Sequence, residues 1–252
     1  TAPTGTKGFF KVVGGGDTSM VWVEGGTLPQ NSELAGTAVE TFQIGRTEVT
    51  LAHWQAVRDW GSANGYDLAG VGQGSSPDHP VRQVSWLDAA KWANAKSEME
   101  GLSPVYFVGG NVYRTGGVEA RKAGDEPAMV PSANGYRLPT EAEWEWAAQG
   151  GLKSQGYIYS GANDLGTVAW NYANSGRATW PVAQRLANEL GIHDMIGNVV
   201  EWCANWVGWG RRLRGGSFLD GEAVGVRYTN QGAQQSQREP YIGFRLARNA
   251  ED

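Results

Sequence analysis

Cysteine is almost missing from this chain, because Cys203 is its single example among 252 residues. An internal disulfide is therefore excluded, and cysteine usage does not indicate the redox compartment. Histidine is also scarce: His53, His79 and His193 lie far apart, and no pair has His-x-x-x-His spacing. Without clustered histidines, the sequence does not predict a histidine-based metal centre.

Basic runs and long apolar runs are missing as well. The formal net charge is −5, so we do not expect nucleic acid as a partner. No apolar stretch is long enough to cross a bilayer, so we expect no membrane-spanning segment. The first five residues lack the charged and apolar regions of a secretory signal, although a processed chain would lack them too.

Glycine and tryptophan are abundant, with 37 glycines and 12 tryptophans, while only 19% of residues are charged. This balance is typical of a loop-rich domain in which large aromatic side chains fix a few regular elements. The chain is long enough to bury a substantial core. It has no internal repeat and no low-complexity linker, so we predict a single domain over residues 1–252.

Short apolar runs predict strands near the N-terminus. Residues 9–13 and residues 20–23 read as two strands around a glycine-rich turn at residues 14–17, and residues 42–45 read as a third. Gly25 and Gly26 are expected to end the second strand.

Three helices have start signals in the sequence. Thr50 can cap a helix that Gly61 would end, and Ser85 can cap a second helix. Thr140 with Glu143 forms a capping box for a third helix. The acidic residues in the first turns of that helix suit its dipole, so we assign them no catalysis.

Several segments resemble the formylglycine-generating enzyme (sulfatase-modifying factor) family. They are Thr-Glu-Val-Thr at 47–50, residues 80–89, Tyr-Arg-Leu-Pro-Thr-Glu-Ala-Glu-Trp-Glu at 136–145, residues 188–203, Arg-Gly-Gly-Ser at 214–217 and Gly-Phe-Arg-Leu at 243–246. The resemblance extends over nearly the whole chain. It implies an α+β, C-type-lectin-like fold with short mixed strands, two main helices and extensive ordered loops.

The resemblance does not extend to catalytic chemistry. Catalytic relatives hold copper through two reactive cysteines near the C-terminus, and soft Cu(I) requires thiolate ligands. Here Val226 stands where one of these cysteines precedes the matching Arg227, and no cysteine follows Cys203. Cys203 itself is expected to be a small core residue. Iron-dependent relatives need an added helical domain with a histidine cluster, which this sequence lacks.

The same anchors also resemble the variable proteins of diversity-generating retroelements, in which scrambled asparagine codons diversify a ligand-binding face. That resemblance implies a non-catalytic binding protein with a diversified segment at about residues 207–241. An ordinary hydrophilic surface loop is the alternative. The candidate ligand-binding residues are Trp209, Arg211, Phe218, Leu219, Asp220, Glu222, Tyr228, Asn230, Ser236, Arg238 and Tyr241.

Two candidates in this set have competing interpretations. Phe218 replaces a tryptophan common after Arg-Gly-Gly-Ser, as either a core substitution or a surface position, and we favour the surface. Glu222, together with Gln234 and Gln235, cannot arise from a scrambled asparagine codon and is a candidate fixed position. The expected ligand is a protein or surface molecule. The relatives imply a location outside the cell or on a bacterial surface, often as lipoproteins, and a structural domain with a constant partner is a further alternative.

A structural calcium ion is the one cofactor that the resemblance implies, and none is required for binding. Asp194, the carbonyls of Gly197 and Val199, and Glu201 match one calcium site of catalytic relatives. Carboxylate and carbonyl oxygens suit Ca²⁺. The alternative is that Glu201 bonds backbone groups in an ion-free site. The remaining motif residues, Arg214 and Arg245, are expected to bond buried carbonyls or carboxylates.

Overall fold

A computed structural model describes residues 20–117, 126–221 and 232–250 of the chain. The strand expected at residues 9–13 and the turn at 14–17 lie outside these residues. The same holds for Glu222, Val226, Arg227, Tyr228 and Asn230.

The described residues form twelve short strands, four α-helices and one 3-10 turn. The helices are α1 (Leu51–Ala63), α2 (Trp86–Met99), α3 (Glu141–Ala148) and α4 (Leu165–Val168), and the 3-10 turn is Gly151–Lys153. The strands are β1 (Met20–Val23), β2 (Gly26–Thr27), β3 (Ala38–Val39), β4 (Phe42–Gly45), β5 (Tyr106–Val108), β6 (Asn111–Val112), β7 (Ala128–Met129), β8 (Val200–Val207), β9 (Gly210–Arg214), β10 (Gly232–Ala233), β11 (Ile242–Gly243) and β12 (Ala247–Asn249). The predicted α+β class, with two main helices and mixed short strands, is confirmed.

The caps predicted from the sequence start the three main helices. The hydroxyl of Thr50 accepts from the His53 backbone N–H, and Ser85 and Thr140 each take part in a complete capping box. The predicted end of α1 at Gly61 was wrong, because the helix continues to Ala63. An added Cβ on Gly61 would lie 3.1 Å from the Cβ of Ala95. Gly61 therefore permits close packing of α1 against α2 and does not stop the helix.

Aromatic side chains form the centre of the larger core. The rings of Trp54 and Trp92 are stacked with centroids 5.6 Å apart, and Phe244 meets both rings edge-on at 5.9 and 5.5 Å. The indole N–H groups of both tryptophans donate to buried carbonyls, of Val71 and Trp54 respectively. The phenylalanine of the Gly-Phe-Arg motif is thus a core wedge between the two main helices, which supports the expectation of an aromatic-rich core.

The three glutamates of helix α3, at positions 141, 143 and 145, form ion pairs with arginines. Glu143 completes the cap of Thr140 and accepts two hydrogen bonds from Arg137 at 2.7 Å. Glu141 and Glu145 both lie within 2.8 Å of Arg214 Nη2. These carboxylates therefore fix the helix against β9, as the expected structural role of Arg214 requires.

Four sheets organise the strands. The C-terminal sheet has the order β10-β9-β8-β11, with β11 parallel to β8 and the other neighbours antiparallel. A second sheet has the order β1-β4-β12 and joins the two ends of the described chain. Two small sheets, β2-β3 and β6-β5-β7, complete the set. Among the described residues, no helix is both long and apolar enough to span a membrane.

Candidate functional site

The β8–β9 hairpin places Trp209 at its tip. Val207 pairs with Gly210, which leaves a two-residue loop of Gly208 and Trp209. Gly208 has φ 54°, and a glycine with positive φ at the first position of such a loop suits the twist of a hairpin. Trp209 is 65% exposed, so a large aromatic ring is held in solvent by a rigid support.

The Arg-Gly-Gly-Ser motif turns the chain out of β9. Gly215 and Gly216 have φ values of 94° and 68°, which side-chain-bearing residues rarely adopt. The Asp220 carboxylate then accepts from the Ser217 N–H at 2.8 Å and from its hydroxyl at 2.7 Å. This closed turn leaves Leu219 42% exposed.

Residues 235–241, called the returning segment below, are held by backbone hydrogen bonds to the start of α2, to the loop before it and to β8. The Leu87 N–H donates to the Gln235 carbonyl at 3.2 Å, and the Gln83 N–H donates to the Glu239 carbonyl at 3.1 Å. The Val200 N–H donates to the Tyr241 carbonyl at 2.9 Å. Residues 235–241 are therefore positioned by main-chain bonds, which do not depend on the side chains displayed there.

The β8–β9 hairpin, the turn after β9 and the returning segment enclose an open cavity of about 540 Å³. Its apolar base includes Leu213, Ala233 and Ile242, which are buried. The described lining residues are Val207, Gly208, Trp209, Leu213, Ser217, Leu219, Asp220, Gly232, Ala233, Gln237, Tyr241 and Ile242. The exposed lining is divided almost evenly between polar and apolar surface, and a cavity of this volume is large enough to hold a ligand group.

The described residues in and near the cavity carry negative charge, from Asp220 in its lining and Glu239 close by. Burial raises the pKa of Tyr241, and the negative charges of Glu239 and Asp220 raise it further. The Tyr241 phenol is therefore protonated at neutral pH and can donate a hydrogen bond. Among the described residues, no Lys or Arg lines the cavity.

Four of the candidate residues are brought together by the fold. Trp209, Leu219, Asp220 and Tyr241 all line the cavity. Ser236 and Arg238 are exposed but do not line it. The Arg238 guanidinium donates to both Asp88 carboxylate oxygens, at 2.7 and 2.8 Å.

Two candidate ligand-binding residues, Arg211 and Phe218, are buried, so the prediction that they lie on the binding surface was wrong. Arg211 is buried, with its guanidinium 3.7 Å from the ring centroid of Trp86 and 4.3 Å from that of Trp206. It also donates to the Ala204 carbonyl at 2.7 Å. The aromatic contacts and the carbonyl bond satisfy a side chain whose charge suggested exposure.

Phe218 is likewise buried, so the preference for a surface position was wrong. Its N–H donates to the Asn198 carbonyl at 2.9 Å, and its carbonyl accepts from the Ser175 hydroxyl at 3.1 Å. Its exposed fraction is 7%, against 42% for the next residue, Leu219. The turn at Ser217 directs these two neighbouring side chains to opposite sides.

Sequence reasoning missed Gln237 and the apolar base of the cavity. Gln237 lines the cavity, and its amide donates to Glu239 at 2.7 Å. Leu213 is the one large apolar residue of β9, between Arg212 and Arg214, and this local pattern could have indicated it as an inward-facing position. Gln237 has no comparable local signal, because its position depends on pairing between distant segments.

The expected calcium ligands have other partners in this fold. Both Glu201 carboxylate oxygens accept from Arg245, at 2.6 and 2.7 Å, and one also accepts from the Trp144 indole at 2.7 Å. One Asp194 oxygen accepts from the Ala183 N–H, while the other is buried without a hydrogen bond. Burial raises the pKa of Asp194. The guanidinium of Arg245 supplies the positive charge at Glu201, as expected of a structural arginine.

The backbone between these carboxylates is held by Glu48. The Val199 N–H and the Asn198 amide donate to the two Glu48 carboxylate oxygens at 3.0 and 2.8 Å. The Gly197 N–H donates to Gly215 at 3.0 Å. Within residues 20–117, 126–221 and 232–250, no group of three or more His, Cys, Asp or Glu side chains is arranged to hold a metal ion. The expected set has only two such side chains, Asp194 and Glu201, beside two backbone carbonyls, so the calcium site stays a prediction, although Arg245 holds both Glu201 oxygens in this structure.

Cys203 lies inside the second core cluster with no exposed surface. Burial raises the pKa of its thiol well above the ordinary range. A neutral, enclosed thiol is a poor nucleophile and a poor metal ligand. The expected core role of this residue is confirmed by its position.

The fold and the sequence together define a family. Residues 13–250 match the sulfatase-modifying factor enzyme 1-like domain, and the chain belongs to this family, whose members share a C-type-lectin-like fold.

Individual relatives include both enzymes and proteins with other names. The chain is 36% identical to the "Chaperone protein LppX" of Paenibacillus barcinonensis, over 74% of this chain and 71% of that protein. It is 29% identical to the formylglycine-generating enzyme of Streptomyces coelicolor, over 79% of this chain but only 59% of the enzyme.

Two solved structures are similar over nearly their full length. CarF has a TM-score of 0.80 and 31% identity, covering 93% of this chain and 99% of its own. Treponema denticola variable protein 1 has a TM-score of 0.75 and 30% identity, covering 92% and 95%. The likeness to a variable protein agrees with the resemblance drawn from the sequence anchors.

Proposed function

We propose that this chain is a non-catalytic binding protein whose C-terminal face, at about residues 207–241, is diversified by a retroelement and captures a protein or surface molecule. The observation that carries the proposal is the cavity between the β8–β9 hairpin and the returning segment. Its exposed side chains, Trp209 and Leu219, extend from backbone that buried contacts hold in place. Such a division between fixed support and displayed groups is typical of binding loops. The solved variable protein supports the same interpretation.

The diversification claim is tested by sequencing the gene in related isolates. We expect substitutions to cluster at the exposed positions 219 and 236 and at the half-buried position 241, and to avoid the buried Phe218 and Gln235. A near-copy of the final segment beside a reverse transcriptase gene would identify the source of the changes. Uniform sequence from residue 207 to residue 241 would refute diversification.

Enzyme activity is the first alternative, because several relatives are formylglycine-generating enzymes. The protein would be incubated with a cysteine-containing sulfatase peptide, Cu(I) and oxygen, and the peptide analysed by mass spectrometry. We expect no formylglycine, because a single buried thiol cannot supply two thiolate ligands. Turnover that the Cys203→Ala variant abolishes would overturn the non-catalytic assignment.

A second candidate function is assembly with one constant protein partner. The 36% identity to a protein named as a chaperone favours this candidate. It predicts the same cavity residues in every isolate and one partner bound by all of them. Isolates that differ at positions 219 and 236 and bind different partners would exclude it.

We also propose that the described residues act as one domain and that the protein works outside the cell or on a bacterial surface. A single domain predicts one cooperative thermal transition observed by both far-UV and near-UV circular dichroism. Two separated transitions would contradict it. Surface location is tested by protease accessibility of the native protein on intact cells of its source. Protection until the cells are lysed would contradict surface display.

Calcium is proposed as an accessory at most. Binding at Glu201 would require Arg245 to release a carboxylate that it holds by two hydrogen bonds. We expect EDTA to change the melting temperature by less than about 1 °C, since only an ion bound to the folded state stabilises it. A larger decrease that Ca²⁺ restores and Mg²⁺ does not would instead establish a calcium site.

A further inference from the structure

We propose that the cavity receives the positively charged side chain of a lysine or arginine from a protein partner. This inference rests on the proposed binding function and names the chemistry that the site recognises. It follows from three features of the described residues: an acidic rim, a local set of arginines already engaged elsewhere, and an uncovered tryptophan.

The acidic rim is formed by Asp220. Its carboxylate lines the cavity, and one oxygen accepts both hydrogen bonds from Ser217. No Lys, Arg or His in the described ranges forms an ion pair with Asp220. Glu239 adds negative charge nearby, since it acts on the same Tyr241 phenol as Asp220 does. Among the residues that the structure describes, a cation entering the cavity would therefore meet negative charge that no Lys, Arg or His pairs with.

The arginines of this region are held by other groups. Arg211 is enclosed between two tryptophan rings, and Arg214 is bound by the glutamates of α3. Arg212 pairs with Glu141 at 2.9 Å, and Arg238 is bound to Asp88. In the described part of residues 207–241, these arginines are therefore bound to the scaffold. The charged side chain that lines the cavity is the negative Asp220.

Trp209 supplies the second element of cation recognition. Its side chain lines the cavity while remaining 65% exposed. Tryptophan offers the most favourable aromatic face for a cation. Leu219 and the buried Leu213 and Ile242 provide apolar surface for the methylene stem of a long basic side chain. Lysine and arginine combine an apolar stem with a charged end in the same way.

An anionic ligand is the less favourable occupant. A carboxylate or phosphate would be placed beside Asp220, and the described lining offers no Lys or Arg to bind it. The Tyr241 phenol and the Gln237 amide could donate hydrogen bonds, but neither carries positive charge. Charge complementarity therefore selects a basic side chain over an acidic one.

The test begins with a random nine-residue peptide library displayed on phage, selected against the full chain and counter-selected against the Trp209→Ala variant. We expect the retained peptides to be enriched in lysine and arginine. One selected peptide is then synthesised in two forms, with lysine or with Nε-acetyl-lysine at the essential position. Acetylation should weaken binding at least about tenfold, as for the loss of one charged hydrogen bond.

Two variants of the protein test whether the negative charge of Asp220 binds the lysine of the peptide. Asp220→Asn keeps an oxygen that can accept from Ser217 but removes the charge, and it should weaken the lysine peptide about tenfold while leaving the acetylated peptide unchanged. Asp59→Asn removes an exposed carboxylate on α1 as the matched control and should have no effect. Melting temperatures establish that both variants fold. The acetyl-lysine comparison uses the unaltered protein and remains decisive if Asp220→Asn is unstable.

The outcomes separate this inference from the proposed function. Peptides that require Trp209 but show no basic enrichment, and whose binding survives acetylation, would overturn the cationic ligand and leave ligand binding intact. A selection that yields no peptide dependent on Trp209 would contradict both. Basic peptides sensitive to Asp220→Asn support both.

Discussion

Arg238 illustrates how one exposed position can belong to the scaffold. Its guanidinium donates two hydrogen bonds to Asp88, the residue that completes the cap of α2. Burial alone would raise the pKa of Asp88, but the bonds from Arg238 and Ser85 lower it. An exposed arginine in a candidate diversified segment is therefore also a support for the helix start.

The Arg238→Ala variant should lower the free energy of unfolding by about 1–2 kcal/mol, because it leaves a buried carboxylate with fewer partners. Chemical denaturation measures this change. Ser236→Ala, two residues away and exposed, is the control and should stay within about 0.5 kcal/mol. A neutral Arg238→Ala result would indicate that the pair contributes little and that position 238 can vary freely.

His53 predicts a pH dependence at the same scale. Burial, and to a lesser extent the charge of Lys96, lowers the pKa of His53 to about 3. In the unfolded chain a histidine titrates near 6.5. Below about pH 6.5 the unfolded state therefore binds a proton that the folded state refuses. This contribution is fully present above pH 6.5 and is lost as the pH falls toward 3.

The His53→Gln variant should remove this part of the acid sensitivity. The difference in unfolding free energy between the two proteins should change between pH 6.5 and 4, with a slope approaching about 1.4 kcal/mol per pH unit. Above pH 7 the difference should be constant. His79→Gln is the comparison: burial lowers the pKa of this half-buried ring as well, so we expect a change of the same sign but smaller size. Parallel pH profiles for wild type and His53→Gln would show that folding does not lower the pKa of His53.

At the scale of elements, the C-terminal anchor depends on backbone geometry. An added Cβ on Gly215 would lie 2.9 Å from the Met195 carbonyl oxygen and 3.1 Å from the Trp144 ring, at a φ of 94°. Gly215→Ala should therefore cost at least about 2 kcal/mol in unfolding free energy. Gly166→Ala in α4 meets only ordinary contacts and should be within about 1 kcal/mol of neutral. Equal stabilities for the two variants would contradict a strained turn.

The elements also show which features are readable from sequence. Thr50, Ser85 and Thr140 marked helix starts correctly, because capping is decided by residues three positions apart. The end of α1 was misplaced at Gly61, because that glycine is needed for contact with Ala95 in another helix. Local chemistry thus predicts helix starts here, whereas packing between distant elements decides where a helix can continue.

At the scale of the whole molecule, the same distinction separates the family from the site. The motif anchors identified the fold because their residues are mutually buried, as for Phe244 between Trp54 and Trp92. The cavity depends on a parallel pairing of β11 with β8 and on a turn that buries Phe218 while exposing Leu219. Composition could indicate that a binding face exists, but it could not tell which of two neighbouring side chains belongs to it.

We therefore predict that substitutions of the exposed cavity residues barely change stability, whereas substitution of the buried neighbour Phe218 lowers it. A double variant, Trp209→Ser with Leu219→Ser, removes two exposed apolar side chains and should stay within about 1 kcal/mol of the parent. Phe218→Ala alone should cost at least about 2 kcal/mol, because it empties buried volume.

Equilibrium unfolding in urea, with unchanged dependence on denaturant, measures all three proteins on one scale. If the double variant were the less stable protein, Trp209 and Leu219 would be part of the folded core. The cavity would then be a product of packing, and a displayed, changeable binding face would lose its physical basis. If Phe218→Ala is the less stable protein, Phe218 belongs to the scaffold, while Trp209 and Leu219 are displayed from it.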